Sequence, residues 1–426
     1  MAIDPHGGGE QHLDGLVDHL FRHASGQMVA AVARLVGPNR LDLAEEVVQD
    51  ALLRALQTWP FSGVPDNPRG WLFQVARNRA LDILRRETVL RGKLQWSDAL
   101  VDLMPHAEAR TGHSVGDEEL AMMFMCCHPA LPEAARVALT LKLVGGFSVD
   151  EIADAFLAQS AAIAQRLVRA KRQIRDESIP LEIPADGELH ERVSSVLDVL
   201  YLLFNEGYGA HGGDNLTRAD LCGEAIRLAR LVAENPHTDR PAAHALLALM
   251  LLQASRLPAR TDEVGDLLLL ADQDRARWDR ASISEGMAHL DRAAAGTELT
   301  PYHIEAAIAA CHATARDAAS TDWPYVLRLY DELLRLKPSP VVALNRAVAL
   351  AMVAGPAAGI AALSALRADA AMDAYHLLPS VLAGLELRAG DRDAAAEHYR
   401  EALAFRCSAP ERRFMQKQLD AIAGSN

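Results

Sequence analysis

Between Asp42 and Glu87 the chain sets an acidic helix, an aromatic and Pro-rich loop, and a basic helix in immediate succession. Each part suits a different chemistry. The helix bearing Asp42, Glu45, Glu46, Gln49, Asp50 and Arg54 suits a protein partner. The loop around Trp59, Phe61, Asp66 and Asn67 offers aromatic faces on which unstacked bases can lie. The following helix presents cations for phosphates and base edges. On it Asn78, Asp82 and Arg85 fall at i, i+4 and i+7, and Arg79, Asp82 and Arg86 at i, i+3 and i+7, so they share one polar face with Arg77 close by. Leu72, Val75, Ala76 and Ile83 cover the opposite side. Charge alone fits a solvated helix face equally well; aromatics next to arginines tip the reading towards single-stranded nucleic acid.

A second basic stripe, with no acid in it, runs from Ser160 to Arg175. Upstream, Ser148 is placed to cap a short helix with Glu151 closing a capping box, and a turn at Leu157–Gln159 leads to a helix starting near Ser160. This is the pattern of a helix-turn-helix. Ser160, Ala161, Ala162 and Gln165 at the start of the second helix would face bases, and Arg166, Arg169, Lys171 and Arg172 would reach phosphates or guanines.

Enzymatic activity has no positive support: there is no GxSxG, no Walker-type loop and no GxGxxG in the strand-to-helix context it requires, and histidines such as His303 and His312 lack triad or metal spacing. Cys126, Cys127 and His128 invite a zinc reading. Three adjacent ligand types cannot all face one tetrahedral ion, so buried core thiols are the better explanation, and neither a metal nor a cofactor is expected. The five scattered cysteines fit a reducing compartment. No apolar run reaches the roughly 18 uninterrupted residues of a membrane helix, and no basic region precedes an apolar core at the N-terminus. A cytoplasmic protein without a membrane partner is expected. The net charge of −14 is uneven, with the excess acid mostly beyond residue 180 and the two basic stripes before it.

Helical periodicity dominates, so the fold class is all-α. Helices are expected over Leu13–Val36, Leu41–Thr58 and Arg69–Glu87, with breaks at Pro60, Gly63, Pro65 and Pro68. The organisation reads as a mobile N-terminus at 1–12, a first domain at 13–87, a linker at 88–116, the helix-turn-helix domain at 117–177, a stiff connector with Pro180 and Pro184 at 178–187, and a long helical region at 188–426. Near its end two helix, Gly-turn, helix segments place Gly355 and Gly390 about 35 residues apart, which resembles tetratricopeptide repeats. LYLLFNEGYG, LADQDRARWD and TDWPYVLRLYDELL carry acids and aromatics together, and fit helix packing and caps better than a contact surface for the sigma domains or polymerase.

The Asp42–Glu87 module resembles region 2, and the Leu131–Arg175 segment region 4, of bacterial sigma factors of the extracytoplasmic-function (ECF) type. No region-3-like domain separates them, which is the ECF layout. A departure is the run of alanines at Ala161, Ala162 and Ala164, where the family often carries Glu, Thr or Lys. The resemblance implies a non-enzymatic partner of core RNA polymerase. The first module would dock on the polymerase clamp helices through Asp42, Glu45, Glu46, Gln49, Asp50 and Arg54, and would open the −10 element of promoter DNA. The second would read the −35 element. The C-terminal region would regulate them, and its groove could take a protein or a small molecule. The rival readings are a stand-alone helix-turn-helix regulator and a repeat scaffold that recruits a protein to DNA.

Overall fold

The computed structural model describes residues 24–92, 115–209, 216–373 and 375–424. These residues form α-helices joined mostly by short turns, with one longer irregular connection between Ser255 and Asp279 that holds an isolated antiparallel bridge between Thr261 and Leu267, in keeping with the all-α expectation. The expected N-terminal end at 1–12, the start of the first helix at Leu13 and residues 93–114 of the linker lie outside the described residues. Two compact units are formed, Met1–Leu200 and Tyr201–Asn426.

The first unit contains α1 (Ala24–Val36), α2 (Leu41–Ser62) and α3 (Pro68–Gly92). The break expected at Pro60 does not occur, and α2 continues to Ser62. Proline's fixed φ is itself helical, and in a last, solvent-facing turn the missing N–H leaves no buried carbonyl unsatisfied. Gly63, at φ 81°, ends the helix by donating its N–H to the Trp59 carbonyl at 3.0 Å. Helix α3 then starts with Pro68 as first residue, while Asn67 Oδ1 accepts from the Gly70 N–H at 2.9 Å, pairing a proline start with an Asn cap.

The helix-turn-helix domain follows as α4 (Val115–Cys126), α5 (Glu133–Leu139) running into a π turn at Thr140–Val144, α6 (Val149–Ala155) and α7 (Ser160–Asp176). Phe124 and Phe147 are fully buried between these helices. The unit's boundary at Leu200 falls within α8 (Asp186–Tyr208) rather than at the Pro-bearing connector. The first turns of α8 serve the helix-turn-helix domain: Arg192 donates to the Phe124 carbonyl at 2.8 Å and Ser195 to that of Cys127 at 2.6 Å, satisfying the end of α4.

In the second unit, α9 (Ala219–Glu234), α10 (Pro241–Ala254), α11 (Arg280–Ala294) and α12 (Pro301–Thr314) surround a core built on α10. Pro241–Ala259 is the stretch long and apolar enough by composition to cross a membrane, and 72% of it is buried inside this unit as its central helix. The chain continues as α13 (Trp323–Leu336), α14 (Pro340–Ala354), α15 (Pro356–Leu366), α16 (Leu377–Ala389), α17 (Arg392–Ala404) and α18 (Ala409–Ala423). Each of these packs on its sequence neighbours, giving successive small cores and a quasi-one-dimensional stack. Gly355 and Gly390, at φ 90° and 89°, make the turns of two of these helix pairs. At Gly359 the pair α14–α15 closes so tightly that a Cβ would stand 2.5 Å from the Ala351 methyl.

Candidate nucleic-acid interface

Phe61 and Trp59 part company in the folded chain. Phe61 is 91% exposed at the tip of the α2–α3 connection, free to stack on a base. Trp59, expected beside it, is 7% exposed and packs edge-on against Trp71 with ring centroids 5.6 Å apart, so its assignment as a base-stacking residue is corrected. The cause is the helix that continues past Pro60: it turns Trp59 onto the buried face of α2. Asp66 and Asn67 are exposed, with the Asn67 side chain engaged as the cap of α3.

On α3 the expected polar face is present. Asn78, Asp82, Arg85 and Arg86 are exposed, and Arg77 and Arg79 half-buried. Asn78 accepts from Gln74 at 3.1 Å and Arg85 lies 3.7 Å from Asp82. Arg79 is committed to Asp50 on α2 at 3.2 Å, so one residue expected on DNA and one expected on a protein partner hold each other. Arg40, not foreseen from the sequence, clamps Glu87 with two hydrogen bonds of 2.9 and 2.6 Å and fixes the far end of α3.

The acidic helix presents more than acids. Glu46, Gln49, Leu53, Arg54, Leu56 and Gln57 are exposed along α2. Leu53 and Leu56, 54% and 52% exposed, were not anticipated and give this face the apolar content a protein interface needs. Leu53, Arg54 and Gln57 line an open cleft of about 420 Å³ with Asp50 and Arg79. Asp42 extends the face at its N-terminal end.

In the helix-turn-helix the capping box forms as expected, Ser148 Oγ accepting from the Glu151 N–H at 3.1 Å and Glu151 from the Ser148 N–H at 2.8 Å. The turn places Leu157 at φ 49°, left-handed for a branched residue, so α7 leaves at a sharp angle. Ile163, Leu167, Ala170 and Ile174 bury one side of α7. Ser160, Ala161, Ala162, Gln165, Arg169 and Arg172 are exposed on the other, with Arg166 half-buried. Val168, 66% exposed, sits in line with Ala161, Gln165 and Arg172. A lone exposed Val on such a face can meet a thymine methyl, a feature the search for polar residues overlooked.

Lys171 does not point to DNA. Its ammonium donates to Asp42 Oδ1 at 2.8 Å and to Glu45, and its side chain is 15% exposed. Burial works against the charged form, but the charges and hydrogen bonds of Glu45 and Asp42 more than offset it and raise the pKa above the ordinary lysine value. Glu45 also lies 3.9 Å from Lys142. The assignments of Lys171 to DNA and of Glu45 to a protein partner are therefore corrected for this conformation: the two are spent on each other, joining α7 to α2. A second clasp supports the first. Gln27 on α1 donates to Glu119 on α4 at 3.1 Å, and a Cβ on Gly26 would fall 1.8 Å from the Val144 carbonyl oxygen. Cys126 and Cys127 are buried, and burial pushes the Cys127 thiol up to about 12, marking packing rather than reactive thiols.

Comparison with known proteins agrees with this arrangement. Residues 20–89 match Sigma-70 region 2, residues 121–174 match Sigma-70, region 4, and residues 192–294 match a family of unknown function, DUF6596. The uncharacterized protein R00370 of Rhizobium meliloti (strain 1021) is 40% identical over 412 residues, 96% of each chain. ECF RNA polymerase sigma factor SigM of Bacillus subtilis is 28% identical over 137 residues, 31% of this chain and 78% of that one. ECF RNA polymerase sigma factor SigE of Mycolicibacterium smegmatis is 26% identical over 159 residues, 37% of this chain and 60% of that one. The chain belongs to the ECF-type sigma factors of the sigma-70 family and carries, beyond its two sigma regions, a long helical extension.

Proposed function

We propose that this protein binds core RNA polymerase and directs it to promoters of the −35/−10 kind, contributing specificity and DNA melting but no covalent chemistry. The α2 face of Asp42, Glu46, Gln49, Leu53, Arg54 and Leu56 docks on the polymerase. Phe61, Asp66 and Asn67 hold an extruded base of the −10 element, with Asn78, Asp82, Arg85 and Arg86 of α3 and the half-buried Arg77 against the strand. Ala161, Ala162, Gln165 and Val168 meet base edges of the −35 element, while Arg166, Arg169 and Arg172 take its phosphates. The observation that carries this reading is the pairing of an exposed aromatic tip and basic α3 face with a helix-turn-helix whose outer face is basic, in regions that match sigma regions 2 and 4.

In the free protein Lys171 ties α7 to Asp42 and Glu45, so this contact parts when polymerase and promoter are engaged. The C-terminal helical region, read as a tetratricopeptide-like stack in its last two hairpins, regulates the sigma regions. In vitro transcription with core polymerase tests both statements. Full-length protein is expected to give promoter-specific transcripts from duplex and pre-melted templates, and absence of polymerase binding would sink the reading. A chain ended after Tyr208, which keeps the turns of α8 that serve α4, is expected to differ from full length in transcript yield; identical yields would remove the regulatory role.

A further inference from the structure

Tyr208 and Trp278, from two of the three segments in which acids and aromatics stand together, meet around Arg256 in the C-terminal unit. Arg256 stands 5.9 Å from the ring centre of Tyr208 and 6.0 Å from that of Trp278. Arg260 lies over the other part of the same pair, 4.1 Å from the Tyr208 ring, and Arg275 lies 4.5 Å from the Trp278 ring. Aromatic faces and neutral oxygens hold the three guanidiniums: Arg256 donates to the Tyr208 hydroxyl, Arg260 to the Tyr208 carbonyl, and Arg275 to the His312 and Ala315 carbonyls at 2.6 and 2.7 Å, and none of the three forms an ion pair among the described residues. The acids whose charge reaches them are engaged elsewhere: Asp317 with Arg316 and Ser320, and Glu411 with Ser408 and His376. Arg280 adds a fourth positive charge near Arg275.

Like charges gathered in a half-buried site repel and are costly to desolvate, unless an anion completes the set. Two buried donors in the cluster, Arg275 Nη2 and Trp278 Nε1, also lack a hydrogen-bond partner. We propose that Arg256, Arg260 and Arg275 form a binding site for a small molecule carrying a phosphoryl group. The guanidinium fork matches phosphoryl oxygens in two-point contacts, and a phosphate monoester brings about −1.5 to −2 charges near neutral pH where one carboxylate brings a single charge. The place for the rest of the molecule adjoins: Arg256 donates to Gln253 Oε1 at 2.7 Å, and Gln253 is one wall of a cavity of about 290 Å³ floored by Ile308 and Leu333. That volume sits at the small end of ligand sites, roughly 300 Å³ and upward. Glu305, the acid among the cavity's lining residues, is offset by Lys337 at 3.5 Å and accepts from Tyr201 at 2.9 Å, so it does not repel an anionic ligand strongly.

The site is independent of the sigma reading, and its test does not use transcription. Full-length protein is titrated calorimetrically with inorganic phosphate and with glucose 6-phosphate, each against sodium chloride at the same ionic strength. Saturable binding is expected, weakened about 10-fold or more in Arg256→Gln and in Arg260→Gln and unchanged in Arg406→Gln, an exposed arginine away from the cluster. Arg256→Lys keeps the charge but not the fork, and is expected to bind several-fold more weakly with its unfolding temperature preserved. Tighter binding of the ester assigns the cavity to the body of the ligand, and equal affinities assign the site to free phosphate; either supports a phosphoryl site. No saturable heat above the chloride blank with either probe, or unchanged affinity in both glutamine variants, overturns it.

Discussion

Two groups of positive charge, one in each unit, are handled in opposite ways, although the C-terminal unit also pairs cations such as Arg230 with Glu285 and Arg346 with Asp331. In the N-terminal unit, three cations that meet another helix are paired with carboxylates: Lys171 with Asp42 and Glu45, Arg40 with Glu87, and Arg79 with Asp50. Others, such as Arg86 and Arg169, stand outward on α3 and α7, where water screens them. In the C-terminal unit, Arg256, Arg260 and Arg275 are half-buried and share aromatic neighbours instead of carboxylates. Pairing fixes an arrangement of helices, whereas an unpaired inward cluster stores a demand for an anion. The first unit is built to hold or release a conformation, and the second to fill a site.

The largest effect that can break this comparison belongs to the outward cations. Arg85→Ala combined with Arg86→Ala removes the two DNA contacts proposed for this end of α3, worth about 1–3 kcal/mol each, so promoter-specific transcription is expected to fall on the order of 100-fold while the unfolding temperature stays constant. A loss of folding stability instead would show that these arginines are structural like their paired neighbours.

His312 sharpens the other side. Burial, with Arg256 and Arg275 adding to it, depresses its pKa to about 4. A histidine depressed in the folded state contributes stability above its unfolded value of about 6.5, and loses it as the pH falls towards 4, up to about 3 kcal/mol. Urea midpoints are expected to decline over that window, and His312→Gln to flatten the decline. Bound phosphate should also flatten it, because an anion beside the arginines removes part of the positive field.

The paired charges give smaller effects. Lys171→Gln leaves Glu45 facing only Lys142, at a cost of about 1–3 kcal/mol, and adding Glu45→Gln is expected to recover part of that cost in a double-mutant cycle. Additive costs would mean the contact contributes nothing to holding α7 on α2. Gly26→Ala attacks the same junction sterically, and is expected to destabilise by about 1–3 kcal/mol because the Val144 carbonyl cannot yield without moving the π turn. The smallest effect is at Asp82, whose exposed pair with Arg85 is worth under about 0.5 kcal/mol; Asp82→Asn should leave the urea midpoint unmoved.

What could be read in the sequence was what depends on nearby residues. The capping box at Ser148 and Glu151, the start of α7 at Ser160, the glycine turns at Gly355 and Gly390 and the exposed polar face of α3 all follow from periodicity and local backbone chemistry. Trp59 escapes a local reading because Pro60, which ordinarily ends a helix, is absorbed here in the last turn of α2. Lys171 is misplaced by a local reading because its partners Asp42 and Glu45 lie 129 and 126 residues away in the chain. The arginine cluster was hidden for the same reason, since Tyr208, Arg256, Trp278 and His312 sit on separate segments that tertiary packing alone brings together. The segments looked unusual in composition, but nothing local to any of them announces a shared site.

Helix α10 has a consequence for how the protein is made. Apolar on all sides, it is covered by α9 before it and by α11 and α12 after it. A ribosome adding roughly 5–20 residues per second therefore delivers this helix seconds before its later covers emerge. During that interval the nascent chain shows an oily stretch that chaperones can bind, and slow codons decoded after α10 has left the ribosome but before α11 and α12 have done so would lengthen the exposure.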